Sequence, residues 1–107
     1  GKPQLDMMKK TAIIANACRG PVIQEAALVE ALKARKIRGA CIDVFEKEPL
    51  AKDSGLRGLD NIVMTPHLGY CSNEALAGRY QFFAENCELL AKGQTPKMAV
   101  NADKIKR

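Results

Sequence analysis

Three short apolar runs alternate with two stretches of helical spacing, and that alternation limits the chain to few folds. The runs are residues 12–15 (Ala-Ile-Ile-Ala), 40–45 (Ala-Cys-Ile-Asp-Val-Phe) and 61–65 (Asn-Ile-Val-Met-Thr). Runs this short and continuous read as buried parallel strands. After the first, Gly20-Pro21 breaks the chain. The pattern then turns helical from about 24 to 37, where Leu28, Val29, Ala31 and Leu32 form an apolar stripe. Gln24-Glu25 open this helix and Lys33, Arg35, Lys36 and Arg38 close it, a polarity that suits the helix dipole. Gly39 is a ready stop. Residues 5–9 read as a helix end or a loop, and 49–60 as a surface loop. Ser72 or Asn73 can cap a second helix over about 74–92, ended by Gly93. Leu76, Tyr80, Phe83, Cys87 and Leu90 line one side of it.

Strand, helix, strand, loop, strand, helix is an α/β order with a parallel sheet. Ligands of such sheets bind outside the C-terminal ends of the strands. The unusual residues of this chain fall there. Arg19 follows the first run, Asp43 and Glu48 lie in and after the second, and His67, the only histidine, follows the third. Taken singly, an arginine after a strand is usually a surface residue, and a histidine after a proline usually a loop residue. Three such residues at successive strand ends point to one crevice. Asp43 stands apart, because a carboxylate inside an apolar strand is costly to bury unless it is bonded.

A chain of 107 residues forms one domain at most. The net charge of +5 comes from basic residues spread along the chain, with no aromatic interleaving of the kind that binds nucleic acid. No apolar run approaches the ~20 residues that span a bilayer, and the N-terminus reads as neither a signal nor a transit peptide. The four cysteines lack Cys-x-x-Cys spacing, so no metal site is expected. Cys41 and Cys87 read as small core residues, and a reducing, cytoplasmic location is the default.

The motifs Asn-Ala-Cys-Arg-Gly at 16–20, Asp-Val-Phe-Glu-Lys-Glu-Pro at 43–49 and Thr-Pro-His-Leu-Gly at 65–69, with the blocks 8–10, 25–32 and 39–42, resemble the D-isomer-specific 2-hydroxy-acid dehydrogenases. The similarity runs with gaps from about residue 5 to 101. It implies the second half of a Rossmann-type doubly wound parallel sheet, followed by a long C-terminal helix. Residues 1–72 would be the distal half of a dinucleotide-binding domain. Residues 73–93 would be a helix packing on or leaving it, and 94–107 an extended tail. By the same resemblance Arg19 binds substrate, His67 is the acid/base, and Glu48 orients its ring and favours the charged form. Asp43 would meet the nicotinamide carboxamide, with Ala17, Cys18, Arg19, His67 and Gly69 also beside the cofactor, NAD or NADP with NAD favoured. The implied reaction moves hydride between a nicotinamide and a D-2-hydroxy or 2-keto acid, in a homodimer.

The chain departs from the family in Cys18, where Ala or Ser is commoner, in Gln24 at the helix start, and in Tyr70. It also lacks any Gly-x-Gly-x-x-Gly turn. The chain therefore reads as a fragment, inactive by itself, whose missing N-terminal half is its first partner. Two alternatives stay open on the same scaffold: a dinucleotide-sensing corepressor, and a phosphite or formate dehydrogenase.

Overall fold

The computed structural model describes residues 1–104. A short helix, α1 (Lys2–Asp6), leads into strand β1 (Ile13–Asn16), helix α2 (Glu25–Lys33), β2 (Gly39–Ile42), β3 (Ile62–Met64) and helix α3 (Asn73–Ala91). The three strands form a parallel sheet in the order β1-β2-β3. Ile13 pairs with Gly39 and Asn16 with Ile42; Ala40 pairs with Ile62 and Ile42 with Met64. This is the α/β order expected from the alternation of apolar runs, with β2 central.

The chain divides into two compact units, residues 1–69 and 70–107. In the first, α2 lays Ala27, Leu28, Ala31 and Leu32 against Ala40 and Ile42 of the sheet. Leu32 and Ile37 have no exposed surface. Leu5 of α1 and Leu56 of the 49–60 loop complete this core, so that loop is anchored by a buried side chain. Burial of each large aliphatic side chain contributes about 1.5–3 kcal/mol. Lys36 pairs with Asp6, which also meets Lys2, tying α1 to the chain after α2.

Two expectations are corrected here, at Gly39 and Cys41. The helix ends at Lys33, and the turn falls at Arg35, whose φ is +51°, not at Gly39. The Arg35 guanidinium bonds both oxygens of Asp60 at 2.7 Å, which holds the turn without a glycine. Gly39 opens β2 instead, where a Cβ would lie 2.9 Å from the Asn61 carbonyl oxygen. Cys41 is exposed rather than a core residue. Side chains alternate along a strand, so Cys41 points away from α2, as do exposed Ile13, Ala15 and Val63. Gln24 makes no capping bond. The Glu46 carboxylate caps α2 from a distance, accepting from Glu25 N–H at 2.9 Å.

In the second unit, Ser72 Oγ caps α3 by accepting from Ala75 N–H at 3.1 Å. Gly93, at φ +67°, follows its C-terminal end. No residue of α3 is buried: Cys87 is exposed, as are Tyr80, Phe83 and Leu90 of the expected stripe. The segment after α3 turns back where an extended tail was expected. Lys97 N–H bonds Asn86 Oδ1, its ammonium pairs with Glu85, and a 3-10 turn spans Ala102–Lys104. Residues 105–107, also assigned to that tail, lie outside the described residues. Arg79 stacks over the Tyr70 ring at 4.7 Å.

Leu32→Ala should lower the unfolding free energy of the protein by about 2–5 kcal/mol, the usual cost of emptying a sealed aliphatic site. The urea midpoint measures it, and an unchanged midpoint would mean that α2 does not anchor this core.

Candidate active site

The site grows from the C-terminal ends of the strands. Asp43 follows β2 directly and is 7% exposed. Its backbone N–H bonds the Asn16 carbonyl at the end of β1, and its carbonyl accepts from His67 N–H after β3, at 2.9 and 2.8 Å. Its carboxylate is filled from the same β3 loop. Oδ1 accepts from the Thr65 hydroxyl and from Leu68 N–H at 2.8 Å, and Oδ2 accepts from Gly69 N–H at 2.8 Å. Four groups of residues 65–69 thus converge on one aspartate. Chiefly the Thr65 hydroxyl, then Leu68 N–H, hold its carboxyl below the ordinary 3.8; burial opposes them, and Gly69 N–H and His67 add to them.

These bonds fix an unusual backbone. His67 has φ +56°, in the left-handed region, which is uncommon outside glycine and persists where surroundings over-determine it. The turn directs the imidazole at Glu48, where His67 Nδ1 lies 2.8 Å from Glu48 Oε2. Glu48 Oε1 accepts from Phe45 N–H at 2.9 Å. His67 first, and Phe45 N–H second, hold the Glu48 carboxyl below its ordinary 4.5. An ionised carboxylate can only accept, so Nδ1 carries the hydrogen of this contact. Glu48 and His67 border a cleft of about 430 Å³ with Phe45, Leu50, Met64 and Arg57. Arg57 braces that wall by donating to the carbonyls of Leu50 and Ala51 at 3.0 and 2.8 Å.

Arg19 stands beside this group rather than in it. It is exposed, and its Nη1 bonds the Cys18 carbonyl at 2.6 Å. Among the described residues it forms no ion pair with Glu48 or Asp43. Its loop is nevertheless pressed onto theirs. A Cβ on Gly20 would fall 1.8 Å from the Phe45 carbonyl oxygen, so only glycine fits there. The structure therefore brings Asp43, Glu48 and His67 together and seats the Arg19 loop against the residue that bonds Glu48. Thr65, Arg57 and Asn16 were not legible as site residues. A buried asparagine closing an apolar run was the one available signal.

Gly69 lies close against Asp43 and Ala17. A Cβ on Gly69 would meet Asp43 Oδ2 at 3.0 Å and the Ala17 Cβ at 3.4 Å. The described residues hold no cluster of side chains suited to a metal ion, and no helix among them is long and apolar enough to cross a membrane.

The family described as D-isomer specific 2-hydroxyacid dehydrogenase, NAD binding domain, matches residues 1–69. D-3-phosphoglycerate dehydrogenase of Archaeoglobus fulgidus is 44% identical over 105 residues, covering 98% of this chain and 20% of that protein. The NADPH-dependent glyoxylate/hydroxypyruvate reductase of Sinorhizobium meliloti superimposes with a TM-score of 0.85 at 27% identity, over 96% of this chain and 33% of that one. An NAD-complexed D-isomer specific 2-hydroxyacid dehydrogenase from Lactobacillus delbrueckii gives 0.79 at 28% identity, over 94% and 35%. The chain thus spans about a fifth to a third of these relatives. Its parallel sheet, its motifs at the strand ends and the match over residues 1–69 make it a member of the D-isomer specific 2-hydroxyacid dehydrogenase family, within the NAD-binding domain.

Proposed function

We propose that the full-length protein carrying this sequence interconverts 2-keto acids and D-2-hydroxy acids, with Arg19, Glu48 and His67 as its catalytic residues. The observation that carries this reading is the Glu48–His67 contact at 2.8 Å, set at the strand ends by the bonds to Asp43. Bound nicotinamide supplies or accepts the hydride. Asp43 would accept from its carboxamide, the backbone of Ala17 and Cys18 would lie beside its ribose and ring, and Gly69 would line the cofactor. Arg19 and His67 would line the same edge.

Arg19 would grip the substrate carboxylate and carbonyl oxygen with its planar fork. His67 Nε2 gives a proton to the developing alkoxide in reduction and takes it back in oxidation. Glu48 keeps the ring in the tautomer that presents Nε2. The reading extends to NAD in preference to NADP and to a cytoplasmic homodimer without nucleic-acid or membrane partners. The family resemblance and the cysteine pattern support that extension.

Arg19→Lys keeps the charge and loses the fork, so KM for the keto acid should rise and kcat fall while NADH affinity holds. His67→Ala should cost on the order of 10²–10⁴ in rate. Both are read with a panel of glyoxylate, hydroxypyruvate and pyruvate. Turnover of none of these by full-length wild type would favour the corepressor reading.

The 107-residue chain alone has no glycine-rich turn for a pyrophosphate. It should neither turn over nor bind NADH tightly. Micromolar affinity by calorimetry would overturn that expectation.

The depressed carboxyl of Asp43 has a signed consequence. Its folded value lies below the ordinary 3.8, so its stabilisation is present above that pH and is lost as pH falls through the folded value. Asp43→Asn lacks this contribution. The gap in urea midpoint between wild type and Asp43→Asn should be constant near neutrality and close as the pH drops below 3.8. A gap independent of pH would mean that the charged carboxylate does not hold the loop.

A further inference from the structure

We propose that Asn16 is the positioning residue of Arg19, an inference that rests on the substrate-binding role proposed for that arginine. Asn16 ends β1 and is 6% exposed, so its side-chain amide needs partners. Both ends are used within the next three residues. Oδ1 accepts from Cys18 N–H at 3.1 Å, and Nδ2 donates to the Arg19 carbonyl at 2.9 Å. The partners assign the amide uniquely, since an N–H needs an acceptor and a carbonyl a donor. The first bond is an Asx turn; the second closes the loop around it. Asn16 also accepts through its own carbonyl from Asp43 N–H. One residue therefore sets where the Arg19 backbone leaves the sheet, relative to the strand end that carries Asp43.

The Arg19 carbonyl also accepts from Val22 N–H at 3.2 Å, in a 3-10 turn over Gly20–Val22, so the backbone after Arg19 is held locally while Asn16 ties it to the strand end. The Arg19 side chain bonds only its own neighbour's carbonyl, and the Gly20 contact with Phe45 limits approach without setting direction. Aspartate keeps the acceptor for Cys18 but turns a second oxygen toward the Arg19 carbonyl.

The test is a double-mutant cycle in the full-length enzyme with its best-turned-over 2-keto acid from the panel. Asn16→Ala should raise KM about tenfold, the scale of a buried hydrogen bond left unmade, with Asn16→Asp close behind. In an Arg19→Lys background, Asn16→Ala should raise KM less than about twofold, because its effect passes through the fork already removed. The pH profile of kcat/KM should keep its shape, since Glu48 and His67 are untouched. Full additivity with Arg19→Lys, or a loss of melting temperature and active fraction at unchanged KM, would make Asn16 a structural residue and overturn the proposal. Failure of both Asn16 variants to fold would overturn it equally. Unchanged kinetics in Arg19→Lys alone would instead remove the role of Arg19, a separate failure.

Discussion

The arrangement at the strand ends depends on a buried carboxylate that the protein must satisfy. Asp43 sits at the end of the central strand, where water cannot fully solvate it. Its charge is tolerable only if donors arrive. Among the described residues, the donors to its carboxylate come from the loop after β3. Satisfying the charge and folding the loop are therefore one event. The left-handed turn at His67 is what this event leaves in place, so the orientation of the imidazole follows from the demands of the aspartate.

Glu48 divides its labour in a related way. One oxygen is held by Phe45 N–H and the other by His67 Nδ1. The backbone bond fixes the carboxylate, and the fixed carboxylate fixes the ring. A carboxylate swinging on its own side chain would hold the ring less well, because rotamer entropy opposes each such contact. Phe45 also carries the carbonyl against which Gly20 packs. Its peptide groups therefore link the loops of all three strand ends, while the residue also packs against the core and lines the cleft.

Local pattern made the sheet and α3 with its Ser72 cap legible, and the family resemblance supplied the Glu48–His67 pairing. Strand runs, stop residues and the positions of unusual side chains are written within a few residues of each other. What was not legible is tertiary. Arg35 takes a conformation that sequence assigns to glycine, and it does so with Asp60 bonded to it from 25 residues away. Glu46 supplies the cap that Gln24 does not make. Cys41 lies in an apolar strand, but which face of β2 meets α2 is decided by packing, not by the run itself. Thr65 looked like the last residue of a strand, and only the geometry reveals its hydroxyl on Asp43.

Arg19 shows how such a site can be assembled without being closed. Its guanidinium bonds the neutral carbonyl of Cys18, one acceptor for a group with five donors. A carboxylate is a stronger acceptor and matches two of those donors at once. On the proposed reading, exchanging the carbonyl for a substrate carboxylate gains a charge-assisted pair while giving up a single neutral bond. The exchange requires the side chain to swing, but not the backbone. The backbone is the part that Asn16 and Gly20 restrain, one by hydrogen bonds and the other by close approach. Restraint at the Cα with freedom at the guanidinium suits a residue that must find its ligand and then hold it in register with a histidine fixed by another loop.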